Sequence, residues 1–114
     1  MATFSTEFLS ASTDGQQIKV AATSSPGTLI HTADANAKDI VFLYACNTDT
    51  VSRDLTIEWG GTTSPDDTVI VTLAAKSGMR LVVPGLPLTN SKAVRAFGSA
   101  ANVIVIGGSV SRVS

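Results

Sequence analysis

The sequence has 114 residues, the length of one domain, and 44% of them are hydrophobic while 5% are aromatic. Its core must therefore be built mainly from Val, Ile, Leu and Ala, and its net charge of −1 offers no basic excess for binding nucleic acid. No apolar run approaches the ~18 residues that a membrane-spanning helix needs, and the single cysteine, Cys46, excludes an intrachain disulfide.

The chain is poor in charge, since charged residues make up 15% of it against about 25% in ordinary soluble domains. We expect part of the surface to be buried against other subunits, and a monomer coated by Ser and Thr is the alternative. The first residues lack the basic start and apolar stretch of a signal peptide, so we expect synthesis in the cytoplasm.

Turn residues recur at short intervals with alternating segments between them, and this pattern predicts an all-β fold. Residues 1–14 are predicted to form an N-terminal arm or an edge strand. Residues 15–114 are predicted to form a two-layer antiparallel β-sandwich of about eight strands, either a jelly roll or an immunoglobulin-like fold. The predicted strands cover residues 17–21, 28–32, 38–47, 53–60, 68–73, 79–83, 93–97 and 102–113.

The segment 38–47 is apolar on both faces of the predicted strand, and so is 103–106. In 38–47 the two faces consist of Ile40, Phe42, Tyr44 and Cys46 on one side and Val41, Leu43 and Ala45 on the other. One face of a sandwich sheet packs on the core and the other normally meets solvent. We therefore expect another subunit to cover the second face, with a folded-over loop as the alternative.

Proline and glycine predict two interruptions late in the chain. Pro84 and Pro87 predict a bend after the strand over 79–83, and Gly107-Gly108 predicts a bulge or sharp bend in the last strand.

Charge is unevenly distributed along the sequence. Residues up to Asp67 include nine acids and three bases, whereas the rest includes five bases and no acid. If these two parts formed separate faces, they would favour docking between copies or onto an acidic partner. Because the two halves of a sequence interleave in a sandwich, we favour charges scattered over loops.

No residue pattern indicates catalysis, and we predict that the protein is not an enzyme and has no cofactor. His31 is the sole histidine, and we expect it to be half-buried and bonded to a neighbour. Cys46 has no neighbouring base to activate it and is expected in the core. An active site would need a pocket that joins His31 with an acid or with Cys46.

Two groups of acidic residues can be compared with known metal and catalytic sites. Asp34, Asn36 and Asp39 are spaced like calcium ligands, but the glycine and the distal glutamate of an EF-hand loop are missing. Asp66-Asp67 with Glu58 could form a pair for glycoside cleavage, but adjacent aspartates point apart and stacking aromatics are scarce. We therefore predict no metal site and no catalytic residue.

The sequence resembles small β-sandwich virion proteins of tailed bacteriophages over about its last hundred residues. The resemblance rests on the TLIHTA strand, a strand that ends in Asn-Thr, a strand that ends in Trp-Gly-Gly and the late hairpin KAVRAFGSAANVIVIGG. It implies a capsid decoration (cement) protein on the virion surface that binds the major capsid protein and itself, as a homotrimer. Neither nucleic acid nor a membrane is expected as a partner.

This interpretation suggests contact residues and leaves alternatives open. The N-terminal segment could strap onto a neighbour, or it could be an ordinary edge strand. A tail or head-fibre component is the nearest alternative function, and a carbohydrate-binding module is a further one. The residues that we predict to contact a partner are Phe4, Phe8, Leu9, Trp59, Arg80 and Arg95.

Overall fold

The computed structural model describes residues 3–114, and these form nine strands in two antiparallel sheets. The strands are β1 (Phe4–Glu7), β2 (Ile18–Lys19), β3 (Thr28–Thr32), β4 (Lys38–Asn47), β5 (Arg53–Trp59), β6 (Thr68–Leu73), β7 (Arg80–Leu88), β8 (Ala93–Gly98) and β9 (Ile104–Val113). The predicted all-β sandwich is confirmed. Among the described residues there is no helix long and apolar enough to span a membrane.

The strand pairing identifies the sandwich as a jelly roll. One sheet has the order β1-β9-β4-β7, with β2 also paired to β9, and the other has the order β3-β8-β5-β6. Thus β1 and β2 pair with β9, β3 with β8, β4 with β7, and β5 with β6. This is one long hairpin folded over so that successive strand pairs fall in opposite sheets, which is the jelly-roll arrangement.

The core lies between the two sheets and is aliphatic, as the composition predicts. Both sheets contribute side chains that alternate with outward-facing residues along each strand. Its fully buried members include Ile30, Val41, Leu43, Leu55, Ile57, Val94, Ile104 and Ile106. Trp59 is half-buried and packs against the rim of this core.

The N-terminal segment belongs to the sandwich of its own chain. β1 pairs with the end of β9, and the N–H of Ala11 donates to the carbonyl of Ile30 at 3.2 Å. Between them, Leu9 is 1% exposed and lies in the core. The prediction that Leu9 contacts a partner is therefore wrong, because its side chain points inward where the chain leaves the edge strand.

The predicted end of this strand at Val83 is wrong, since β7 continues through Pro84 and Pro87 to Leu88. Proline is tolerated there because β7 is an edge strand, where alternate N–H groups have no strand partner. β7 has two register shifts against β4, and one of them falls at Gly85, between the two prolines where a bend was predicted. Gly85 leaves room for the ring of Phe42, because a Cβ at Gly85 would lie 2.7 Å from the ring Cε1.

The interruption predicted at Gly107-Gly108 is also wrong. β4 and β9 pair over ten residues without a register shift. Glycine is required at residue 108 because a Cβ there would overlap the carbonyl oxygen of Phe42 on the facing strand. The two backbones therefore approach closely in an unbroken ladder.

Candidate functional site

Among residues 3–114, four polar side chains are buried: those of His31, Asp39, Asn47 and Glu58. Burying such groups is unfavourable unless they form hydrogen bonds. Within residues 3–114 every buried side-chain nitrogen or oxygen has a partner. These four residues are therefore the first places to look for chemistry.

Asp39 is the centre of the largest buried cluster. Its Oδ1 accepts from Nε of Arg112 at 2.8 Å, and its Oδ2 accepts from Nη2 of the same guanidinium at 3.1 Å. Oδ2 also lies 2.8 Å from Nε2 of His31 and accepts from the N–H of Asp34 at 3.2 Å. The antiparallel register of β4 and β9 creates this site, because it places Asp39 opposite Arg112.

The hydrogen bonds of His31 define which ring nitrogen donates. The N–H of Ser10 donates to Nδ1 at 2.9 Å, so Nδ1 carries no proton and Nε2 donates to Asp39. A histidine–aspartate pair also occurs in catalytic triads, where the other ring nitrogen takes a proton from a nucleophile. Here a main-chain amide occupies that nitrogen, and the residue is 1% exposed. The pair thus ties the N-terminal segment to β3 and β4, and His31 is bonded to a neighbour as predicted but fully buried.

Hydrogen bonds within this cluster favour its charged groups. Burial raises the pKa of Asp39, but hydrogen bonds from Arg112 and His31 outweigh it and hold that pKa below its ordinary value. The hydrogen bond to Asp39 raises the pKa of Arg112. Backbone hydrogen bonds from Asn36 and Ala37 lower the pKa of Asp34. Asp34 and Asp39, whose spacing resembles that of calcium ligands, therefore accept hydrogen bonds from a turn and from Arg112 respectively.

Arg112 also shows how the two charged parts of the sequence interleave. Its Nη1 lies 3.8 Å from Oε1 of Glu7 and 4.0 Å from Oδ1 of Asp34. A base from the positive part is thus surrounded by acids from the negative part. Part of the sequence asymmetry is therefore neutralised within the chain.

Glu58 is the second buried carboxylate and lies on the outward side of β5. Ser25 donates through its hydroxyl to Oε2 at 2.5 Å, and the N–H of Gly27 donates to Oε1 at 2.7 Å. Both oxygens thus fasten the segment 25–27 over the four-stranded sheet. The carboxylate of Asp67 accepts a backbone bond within its own loop. These two acids therefore have separate structural roles and do not act as a pair.

Asn47 is a buried residue that the sequence analysis missed. Its Nδ2 donates to the carbonyls of Val51, Leu73 and Ala74 at 3.0, 3.1 and 3.2 Å, and its Oδ1 accepts from the N–H of Asp49 at 3.0 Å. It thereby joins the end of β4 in one sheet to β6 in the other. The sequence indicates this role only through the position of Asn47, a polar residue on the inward side of an apolar strand.

Residues 3–114 contain no group of three His, Cys, Asp or Glu side chains that could hold a metal ion, and no ligand-sized pocket opens among them. The open surface is therefore the remaining place to look for contacts.

One face of the five-stranded sheet is apolar and points away from the core. We term this the outer face, formed by alternate residues of β4, β7 and β9. Its members are Ile40, Phe42, Tyr44, Cys46, Leu81, Pro84, Pro87, Val105, Gly107, Ser109 and Ser111. These residues are uncharged, but Lys38, which precedes Ile40 on β4, and Lys19, which is paired with Val105, lie on the same side of the sheet. Cys46, which we predicted in the core, is half-buried on this face because the inward positions are Val41, Leu43 and Ala45.

Tyr44 and Leu81 of the outer face, together with Met79 just before β7, form a cluster of exposed apolar side chains. Tyr44 is paired with Leu81 on one side and with Gly107 on the other, and a Cβ at Gly107 would lie 3.8 Å from Cε of Met79. The exposed fractions are 38% for Tyr44, 60% for Met79 and 52% for Leu81. The chain thus covers the second face of β4 only in part. Clustered exposed apolar side chains of this kind commonly mark contact surfaces.

The remaining predicted contact residues are dispersed. Phe4 and Phe8 are largely exposed, and so is Arg80. Trp59 and Arg95 are half-buried, and Arg95 donates from Nη1 to the carbonyl of Gly27 at 3.2 Å. These five residues do not form one patch, and the sequence analysis did not select the cluster around Tyr44.

Comparison with known proteins does not identify a function for the outer face. No protein-family model matches the sequence, and no curated protein and no solved structure is significantly similar to it. The functional inference therefore starts from the surface geometry and the composition of the chain.

Proposed function

We propose that this protein is a structural subunit of a virion: a capsid decoration (cement) protein that binds the major capsid protein of a tailed bacteriophage and catalyses no reaction. The outer face carries this proposal. Three large apolar side chains, those of Tyr44, Met79 and Leu81, are exposed together there, with no charged residue among them. The low content of charged residues and the resemblance of the TLIHTA strand and the late hairpin support it.

The mechanism is burial of surface without chemistry. β4 and β9 form an unbroken ladder beneath the outer face, and the bonds of Asp39 fix that ladder at its end. A surface on such a rigid platform loses little conformational entropy on binding. Each copy would bury an interface of about 1,000–2,000 Å², and many copies together stabilise the shell. Jelly rolls also occur in viral capsid domains.

Add-back to phage heads tests the proposal. Heads lacking this protein are prepared from the phage that encodes it, mixed with the purified chain and sedimented. We expect saturable binding in a fixed ratio to capsid subunits, and at least ~10-fold weaker binding of Leu81→Lys, because a charge would be buried in the contact. Ala101→Lys adds the same charge at an exposed turn and should bind normally.

The same assay separates the alternatives. Binding to purified tails or head fibres in place of heads would favour the tail component. Absence of binding to heads, or equal binding of Leu81→Lys and the parent chain, would contradict the proposal. The resemblance also implies a homotrimer, which sedimentation equilibrium of the free protein measures.

A further inference from the structure

The edges of the two sheets differ in how well they are protected. β7 contains two prolines and two register shifts, β3 has a register shift within five residues, and β1 and β2 have four and two residues. Short length, proline and bulges all hinder pairing of an edge with another chain. β6 has six residues with no proline and no charge, and its register with β5 is unbroken. It is the least protected edge among the described strands.

The hydrogen bonds of β5 show which main-chain groups of β6 are available. The N–H of Trp59 donates to the carbonyl of Asp67 at 2.7 Å. Bonded and non-bonded pairs alternate along an antiparallel ladder. The odd-numbered residues of β6 therefore bond to β5, and the main-chain groups of Thr68, Ile70 and Thr72 point to the free edge. Thr68 donates its N–H to the carbonyl of Pro65 at 3.2 Å, whereas Ile70 and Thr72 have no backbone partner on that side within residues 3–114.

We propose that two copies of this chain associate through β6, antiparallel about a twofold axis at Ile70, so that two four-stranded sheets join into one of eight strands. Ile70 then lies opposite Ile70 of the second copy, Thr68 opposite Thr72, and Val69 opposite Val71. In this register the free N–H and C=O groups of Ile70 face those of its equivalent, and the free N–H of Thr72 faces the carbonyl of Thr68 in the other copy. This inference goes beyond the virion role and does not depend on it.

The side chains of β6 suit this register. Residues directly opposite each other in an antiparallel pair point to the same face of the sheet. Ile70 is 68% exposed on the outward side and would contact its own equivalent. Val69 and Val71 are half-buried against the core on the inward side, so the two cores would become continuous. A second copy would therefore cover Ile70 on the outward face of the sheet and Val69 and Val71 on the inward face.

The charges next to β6 are also complementary between copies. β6 itself has none, Asp66 and Asp67 precede it, and Lys76 follows it. Antiparallel pairing brings the acidic end of one strand to the end of the other from which Lys76 extends, and twofold symmetry repeats this contact. Because each pair uses the β6 edge of both copies, the contact closes at two. Any association in threes would have to use another surface.

Sedimentation equilibrium and amide hydrogen exchange of the free protein test this inference. We expect a concentration-dependent dimer in which the amides of Ile70 and Thr72 become protected as the protein concentration rises. The amides of Val69 and Val71 bond to β5 and should be protected at every concentration. A monomer at all concentrations up to millimolar, or an oligomer in which the Ile70 and Thr72 amides still exchange freely, would overturn the proposal.

Variants of β6 provide an independent test. Ile70→Lys should raise the dissociation constant at least ~100-fold, because it places two like charges opposite each other and removes the isoleucine contact. Ile70→Val is the matched control and should stay within about tenfold of the parent chain. Asp66→Lys should weaken the dimer, and adding Lys76→Asp should restore it. If Ile70→Lys folds with the parent circular dichroism and dimerises equally well, the interface lies elsewhere.

Discussion

Asp39→Asn tests the buried cluster that joins the N-terminal segment, β4 and β9. The substitution keeps the shape of the side chain but removes its charge and replaces one acceptor oxygen by an NH₂ group. If that group faces His31, it meets the Nε2 proton and the N–H of Asp34. If it faces Arg112, it meets the guanidinium. In both orientations hydrogen-bond donors oppose each other within a buried site.

The expected loss follows from these contacts. A hydrogen bond to a charged group contributes about 1.5–3 kcal/mol, and a buried donor left without a partner costs about 1–3 kcal/mol. Breaking a buried ion pair by altering one partner costs about 3–5 kcal/mol. We therefore expect Asp39→Asn to lower the free energy of unfolding by about 3–5 kcal/mol, a large share of the ~5–15 kcal/mol typical of a domain. Asp49→Asn alters the pair with Arg53, whose side chains are partly exposed where Asp39 is fully buried, and should have a smaller effect.

The same carboxylate makes stability depend on acid pH. Because the pKa of Asp39 is lower in the folded chain than in the unfolded one, its charge stabilises the fold above the ordinary aspartate pKa of about 3.9. That stabilisation is lost as the pH falls through the folded-state pKa. Below about pH 4 the parent chain should therefore lose stability more steeply than Asp39→Asn.

Urea denaturation followed by circular dichroism measures both effects. The unfolding free energies of the parent chain, Asp39→Asn and Asp49→Asn are extrapolated to zero urea at pH 7 and at several pH values down to 3. A loss under about 1 kcal/mol for Asp39→Asn at pH 7, or equal slopes with pH for it and the parent chain, would show that the cluster does not stabilise the fold as described.

Three further substitutions test other contacts. Gly108→Ala should lower the unfolding free energy by at least about 3 kcal/mol in thermal denaturation, because its Cβ overlaps the facing strand. Asn47→Ala should lower it by about 2–4 kcal/mol in urea, because three carbonyls lose their donor. Ser25→Ala should speed hydrogen exchange of the Gly27 amide with little change elsewhere, since it removes one bond to Glu58. A parent-like result in each assay would contradict the corresponding contact.

Strand positions could be predicted because they depend on local patterns. Side chains alternate with a period of two along a strand, and turn residues mark its ends. The predicted bounds 28–32, 38–47 and 68–73 agree with β3, β4 and β6. The alternation in 53–60 likewise places Leu55 and Ile57 inward, and both are fully buried.

What the sequence did not reveal depends on residues far apart in the chain. Asp39 and Arg112 are 73 positions apart, and only the pairing of β4 with β9 brings them together. From sequence alone, Pro84 predicts the end of a strand, and only the sheet order shows that its strand lies at an edge where proline is tolerated. Gly108 likewise predicts a bulge, and only the strand pairing shows that it makes room for a carbonyl of the facing strand. The cluster around Tyr44 was missed for the same reason, because strand neighbours are set by topology.

An electron-microscopy map of phage heads saturated with the purified protein would test the proposed function most directly. We predict sandwich-sized density on the shell, oriented so that Tyr44 and Leu81 lie against the major capsid protein. Heads without such density, or a bound sandwich whose outer face is turned to solvent, would contradict the proposal.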